Sequence, residues 1–222
     1  MGDDEHQARA DPGVPLRRLA AQQRGAIRVD LILDAAGRLV AERGYEKMTT
    51  SHVALRARVS TGVLYQFFAD KRAIVRALSA RNLDRYLGRL EQVIRSGPFP
   101  DWHAAADAAV DLFVAMSRED PGFRAVRFGD VVDAHLLDVT SDNDSYLATR
   151  LAGLLATDLG VTIDESAELA LVMAIKIADV LVGFAFARQP DGDDAIIQHA
   201  KVLIRLHLDL ALGIGSADRP GP

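Results

Sequence analysis

Apolar positions recur at helical spacing along nearly the whole chain, and no run alternates for the length of a strand. Ile32, Ala36, Leu39 and Val40 fall at i, i+4, i+7 and i+8, and Gly44 ends that stripe before Tyr45. Two short stripes follow. Val53, Ala54 and Ala57 mark a narrow helix behind Thr49 and Thr50, and Leu64 and Phe68 mark another behind Ser60. Ser and Thr before a helix accept from its free N–H groups, so these residues predict helix starts, with Arg58-Val59 as the corner between. Asp70-Lys71 opens a further helix carrying Ile74, Val75 and Leu78. Leu83, Leu87, Leu90 and Ile94 continue it as far as Ser96-Gly97-Pro98. Later helices are predicted at about Asp101–Arg118, Phe123–Leu137, Asp144–Leu159, Asp164–Ala187 and Asp193–Leu212, each bounded by Asp, Gly, Pro or Ser. The pattern predicts an all-α protein: an N-terminal helix-turn-helix unit within Val29–Leu78, then a larger helical body.

With Leu64 and Phe68 facing inward, Thr61, Val63, Gln66 and Phe67 point outward from the second short helix. A short helix exposing small and amide side chains suits a DNA major groove, with its flanks on phosphates. The ordered set Gly44-Tyr45, Thr49-Thr50, Val59-Ser60-Thr61-Gly62, Leu64-Tyr65, Phe68 and Lys71 resembles the DNA-binding domain of the TetR family of transcriptional regulators, over about residues 27–78. The resemblance implies that Thr50 and Tyr65 donate to phosphates and that Lys71 supplies a charge at the start of the fourth helix. It places Thr61, Gly62, Val63 and Gln66 against bases, with Ser51 joining them from the helix before. Two positions depart from the family pattern. Arg58 stands at a turn where glycine is usual, and Phe67 stands where histidine is frequent. The implied function is a ligand-responsive regulator, a repressor that binds a palindromic operator as a homodimer and is released by a small hydrophobic molecule. A transcriptional activator of the same fold, or a helix-turn-helix used for protein docking, is the alternative.

Charge follows the same division. The chain carries net −5, yet residues 1–95 hold 17 Lys and Arg against 11 Asp and Glu, while residues 96–222 hold 9 against 20. A basic module on an acidic body fits a groove binder whose second domain stays away from phosphate. Cysteine is absent, which excludes disulfides and thiolate metal sites and points to a cytoplasmic protein. Met1–Pro15 is polar and acidic without the apolar run of a signal peptide. Residues 1–26 read as a flexible arm, with Arg17, Arg18 and Arg24, and then Arg28, placed either to touch DNA or to be solvated. The remaining divisions are 27–78 for DNA binding, 79–212 for ligand binding and dimerisation, and 213–222 as a tail.

Ala167–Ala187 is apolar on nearly every side, but Lys176 and Asp179 split it into pieces too short for a bilayer, so no membrane partner is expected. Such a helix buries more than one face. The final helix, with Ile196, Ile197, Leu203, Ile204, Leu206, Leu208 and Leu212, also exceeds one stripe. The resemblance puts these two helices in a four-helix dimer interface. Candidates for an effector pocket, on fold analogy, are Trp102, His103, Phe113, Met116, Phe128, His135, Met173 and Lys176, with plain core packing the competing reading for the apolar ones. His135 with Asp130 and Asp133 makes a poor metal set, and no cofactor is expected. The chain carries no nucleophile elbow, phosphate-binding glycine loop or HExxH sequence, so the pattern argues against an enzyme.

Overall fold

Most helices begin where a short oxygen-bearing side chain replaces the acceptor that the first turn lacks. Thr49 accepts from the His52 N–H at 3.2 Å, Ser60 from Val63 at 3.2 Å, and Asp70 from Ala73 at 2.7 Å. Asp101 and Asp164 do the same for Ala104 and Ala167, both at 2.8 Å. The computed structural model describes residues 13–97, 99–126, 146–154, 156–157 and 164–212, with side chains from Gln23 to Ala211. Its helices are α1 (Gly13–Arg43), α2 (Thr50–Ala57), α3 (Thr61–Phe67), α4 (Lys71–Arg95), α5 (Trp102–Glu119), α6 (Pro121–Ala125), α7 (146–154), α8 (Glu165–Arg188) and α9 (Asp194–Leu212). No strand occurs among the described residues, and the chain is all-α.

Two starts differ from the sequence pattern. Helix α1 begins at Gly13, inside the stretch read as a flexible arm up to residue 26. Leu, Arg, Ala and Gln dominate from Leu16 to Arg24, all good helix formers, and Pro15 falls in a first turn that has no need of its N–H. Asp120-Pro121-Gly122 reads as a break, but it also starts α6. Asp120 accepts from the N–H groups of Gly122 and Phe123 at 2.9 and 3.2 Å, and Pro121 follows as the first helical residue. The helix expected over Phe123–Leu137 instead starts at Pro121 and stops at Ala125, where Val126 leaves helical geometry with φ −130° and ψ 75°; residues 127–137 lie outside the described residues.

Arg58 keeps the turn geometry that usually calls for glycine, with φ 57° and ψ 38°, and its N–H closes α2 on Ala54 and Leu55. A side chain in this region costs about 1–2 kcal/mol, offset in part by glycine's larger unfolded-state entropy. Arg58→Gly is therefore expected to stabilise the protein by about 0.5–1 kcal/mol and to raise its melting temperature by roughly 1–4 °C. An unchanged or lower melting temperature would show that the corner stores no strain.

Two apolar cores divide the helices. In the first, Ile32, Leu39, Tyr45, Met48, Val53, Leu64, Phe68 and Ile74 are buried among α1 to α4. In the second, Leu83, Leu87 and Leu90 of α4 join α5, α7, α8 and α9. Helix α4 thus feeds one core with Ile74, Val75 and Leu78 and the other from Leu83 onward.

Helix α6 crosses that division. Val126, which follows it, is fully buried in the first core, and the buried Asn82 amide donates to the Val126 carbonyl at 2.6 Å. Gly122 lies against Gly37 of α1 so closely that a Cβ at either would stand 3.1–3.2 Å from the other's backbone. Two glycines facing each other are what permit this approach. The body is thereby fastened to the helix-turn-helix unit at a backbone contact and at a buried hydrogen bond.

Helices α5 and α9 are joined by charge. His103 Nε2 meets Asp209 at 3.0 Å, Asp107 meets Arg205 at 2.5 Å, Asp111 meets Lys201 at 2.6 Å, and Arg118 meets Asp194 at 2.9 Å. Each step of four or seven residues forward on α5 is matched by the same step backward on α9, the register of two antiparallel helices. Lys201 is buried, so its ammonium depends on this partner.

Candidate DNA interface and effector cavity

Helix α3 is only seven residues long because Ser60 caps its start and Phe68 leaves helical geometry at its end. Leu64, fully buried, and Phe68, nearly so, root it in the first core. What remains outward is Thr61, Gly62, Tyr65, Gln66 and Phe67, all exposed, with Val63 half-buried at the edge. Ser51 is exposed at the start of α2 and Thr50 beside it is half-buried. The hydroxyls of Thr50 and Tyr65 are 3.0 Å apart and hydrogen-bonded across the α2–α3 corner, so one donates to the other and the pair keeps one hydroxyl proton for an outside acceptor such as a phosphate. Phe67 offers that rim only an apolar edge.

Lys71 is held from behind. Its ammonium lies 4.1 Å from the centre of the Tyr45 ring, donates to the Tyr45 carbonyl at 3.4 Å and stands 4.0 Å from Glu46. The cation–π contact fixes its charge at the mouth of α4. Arg56 is spent differently, on a two-pronged bond to Glu42 at 2.5 and 2.8 Å that ties α2 to α1.

The second feature is a cavity of about 110 Å³ in the body. Tyr86, Leu90 and Ile94 of α4 form one wall, and Trp102 and Phe113 of α5 another. Ala105, Ala106 and Ala109 on α5 and Ala174 and Ala178 on α8 leave the space open by their small size. The Tyr86 hydroxyl donates to the Ala109 carbonyl at 3.0 Å, and burial pushes its phenol well above the ordinary tyrosine range, so it stays neutral. Asp179 brings a carboxylate to the lining.

Of the pocket candidates, the structure brings Trp102 and Phe113 to this cavity. His103 turns to Asp209, and Met116 is buried in the second core. Met173 and Lys176 lie on the exposed side of α8. Phe128 and His135 lie outside the described residues. The candidates named from the sequence are mostly large side chains, whereas the alanines and Asp179 shape the space. The Ala-rich run from Ala104 to Ala109 is the signal that marks it.

Helix α8 is long and apolar enough to cross a bilayer. One face is packed, with Ala170, Leu171, Ala174, Asp179 and Val182 buried against α9 and the cavity. Its opposite face exposes Leu169, Met173, Val180 and Phe184, and α9 exposes Val202, Leu203, Leu206 and Leu210 beside it.

These features define a two-part helical protein, an exposed helix-turn-helix on one core and a hollow bundle on the other. Residues 32–78 match the model of bacterial regulatory proteins of the tetR family, and residues 100–212 match the tetracyclin repressor-like C-terminal domain. The chain belongs to the TetR family. A crystal structure of a TetR-family transcriptional regulator from Streptomyces coelicolor is 36% identical, with a TM-score of 0.71 over 83% of this chain and 99% of that one. The regulator FadR from Bacillus subtilis, solved in complex with stearoyl-CoA, shares the fold at 19% identity and a TM-score of 0.64, over 80% and 96% of the two chains. The transcriptional regulator HbdR of Aromatoleum sp. (strain CIB) is 32% identical over 43% of this chain. The chain spans about half the length of that curated relative, 46%.

Proposed function

We propose that this chain is a cytoplasmic, ligand-responsive transcriptional repressor that binds a palindromic operator as a homodimer and is released when a largely apolar molecule fills the cavity. The exposed face of α3, rooted by Leu64 and flanked by the Thr50–Tyr65 pair, carries the DNA-binding half of this reading. Thr61, Gly62, Val63 and Gln66 meet base edges, Ser51 adds to them, and Thr50, Tyr65 and Lys71 hold phosphates. The apolar face shared by α8 and α9 supports the dimer, since each large side chain buried there is worth about 1.5–3 kcal/mol. A dimer sets two copies of α3 about 34 Å apart, one turn of the duplex.

The lining of the cavity supports an effector with an apolar body, and the B. subtilis neighbour's ligand carries a long acyl chain. Tyr86, Leu90 and Ile94 belong both to the cavity wall and to α4, whose other end opens at Lys71 beside α3. An effector that shifts this wall moves the DNA-binding unit through α4 and through the α6 contact with α1. Release requires that it bind the displaced state better than the DNA-bound one.

Salt dependence tests the phosphate assignments. Lys71→Ala is expected to weaken binding to specific and non-specific DNA alike and to reduce the slope of log affinity against log salt by about 1. Identical slopes for the two proteins would mean that Lys71 serves only its contact with Tyr45.

A further inference from the structure

The joint between α5 and α6 is tied by arginines on two sides. From α4, Arg85 reaches Asp120 at 3.0 Å and Arg89 reaches Glu119 at 2.7 Å. On the other side the joint supplies the arginines itself. Arg118, near the end of α5, donates from Nε to the Asp191 carbonyl at 2.7 Å and from Nη2 to the Asp194 carboxylate at 2.9 Å. Arg124, on α6, donates to the Pro190 carbonyl at 2.9 Å, with its guanidinium 5.0 Å from the centre of the Phe186 ring. Both grip the turn Gln189–Asp193, which joins α8 to α9. That turn is stiff in its own right: Gly192 sits at φ 83°, and the N–H groups of Gln189 and Asp193 both bond to the Ala185 carbonyl at 3.1 Å.

An ordinary exposed ion pair holds little, because two flexible side chains have to meet and water screens them. Here two of the three acceptors are main-chain carbonyls, which cannot swing aside, and a guanidinium presents its donors in a fixed fork. Such bonds define position more than stability. The turn lies just beyond Phe184, an exposed side chain of the face assigned to the dimer, and α6 rests on α1 through Gly122 and Gly37. A continuous set of contacts therefore leads from α8 and α9, through Arg118 and Arg124, to the DNA-binding unit.

We infer that Arg118 and Arg124 are positioning residues for operator binding: they lock the α8–α9 turn to the α5–α6 joint and so set the distance and rotation between the two copies of α3. They are determinants of half-site spacing. This rests on the reading of the chain as a homodimer on an inverted repeat.

The wild type and an Arg118→Gln, Arg124→Gln variant are titrated with the operator recovered by selection from random duplex DNA, with that operator lengthened or shortened by one base pair at its centre, and with a single half-site. One base pair changes the separation by about 3.4 Å and the rotation by about 35°. The wild type is expected to lose about 10- to 100-fold in affinity at either altered spacing, since a rigid dimer then engages only one half-site well. The glutamine variant is expected to lose about 3-fold or less, to remain dimeric in sedimentation, and to bind the single half-site as the wild type does. Arg118→Lys with Arg124→Lys keeps the charge without the fork and is expected to fall between the two. Equal spacing penalties in the wild type and a folded, dimeric glutamine variant would overturn the clamp and leave the operator reading standing. A monomeric glutamine variant would also overturn it, because the arginines would then hold the dimer rather than its spacing. Should the glutamine variant fail to fold, the lysine variant is read in its place, and an undiminished penalty there overturns the clamp. Absence of any spacing preference in the wild type would overturn the inverted-repeat reading and the clamp with it.

Discussion

A Leu203→Glu, Leu206→Glu variant is expected to sediment as a monomer and to lose on the order of 10²–10⁴ in operator affinity. Both side chains are about half exposed, at 48% and 55%, on the outer face of α9, so neither substitution opens a hole in the core. Val202 and Leu210 on α9, with Leu169, Met173, Val180 and Phe184 on α8, are exposed apolar side chains as well, and the proposed dimer would cover them. Like charges facing each other across that contact, stripped of water, oppose association directly. The loss in DNA binding has a separate cause. A monomer engages one half-site and forfeits the effective concentration that a joined second unit supplies. A variant that stays dimeric in sedimentation would place the interface elsewhere.

Gly122→Val is expected to lower stability by about 1–3 kcal/mol, because its branched side chain meets the backbone of Gly37 where a Cβ alone stands at 3.1 Å. Neither partner is a flexible tip that can turn aside, so α6 has to move away from α1. That movement draws Val126 from the first core and stretches its 2.6 Å bond from Asn82. For a chain of this size the melting temperature is expected to fall by roughly 2–12 °C, with Gly122→Ala in between. A valine variant that melts with the wild type would mean that the α1–α6 contact carries little of the coupling between the two cores.

The helix-turn-helix was readable because its information is local. Thr49, Ser60 and Asp70 announce starts, Gly44 and the Arg58 corner announce stops, and all sit at fixed offsets within about thirty residues. The same punctuation gave α5, α8 and α9 to within a residue or two. The interior of the body was harder. A cavity is made by what side chains leave vacant, so the aromatic and methionine residues that attract attention are a poor guide to it. Trp102 and Phe113 reach the cavity while Met116 is packed away, and only the fold separates them. Contacts that join distant segments were equally hidden, as with Gly37 against Gly122. The α5–α9 ladder was nearer the surface of the sequence. Asp107 and Asp111 stand four apart, as do Lys201 and Arg205, a complement that becomes meaningful once the helices are known to run antiparallel.

Selection of bound sequences from random duplex DNA, using the purified full chain, bears most directly on regulation through α3. The expected product is an inverted repeat with half-sites about one helical turn apart, its preference relaxed at one or two positions in Gln66→Ala. Bound DNA with no enriched sequence, held with little dependence on salt, would contradict operator recognition and turn the exposed face of α3 into a docking surface for protein.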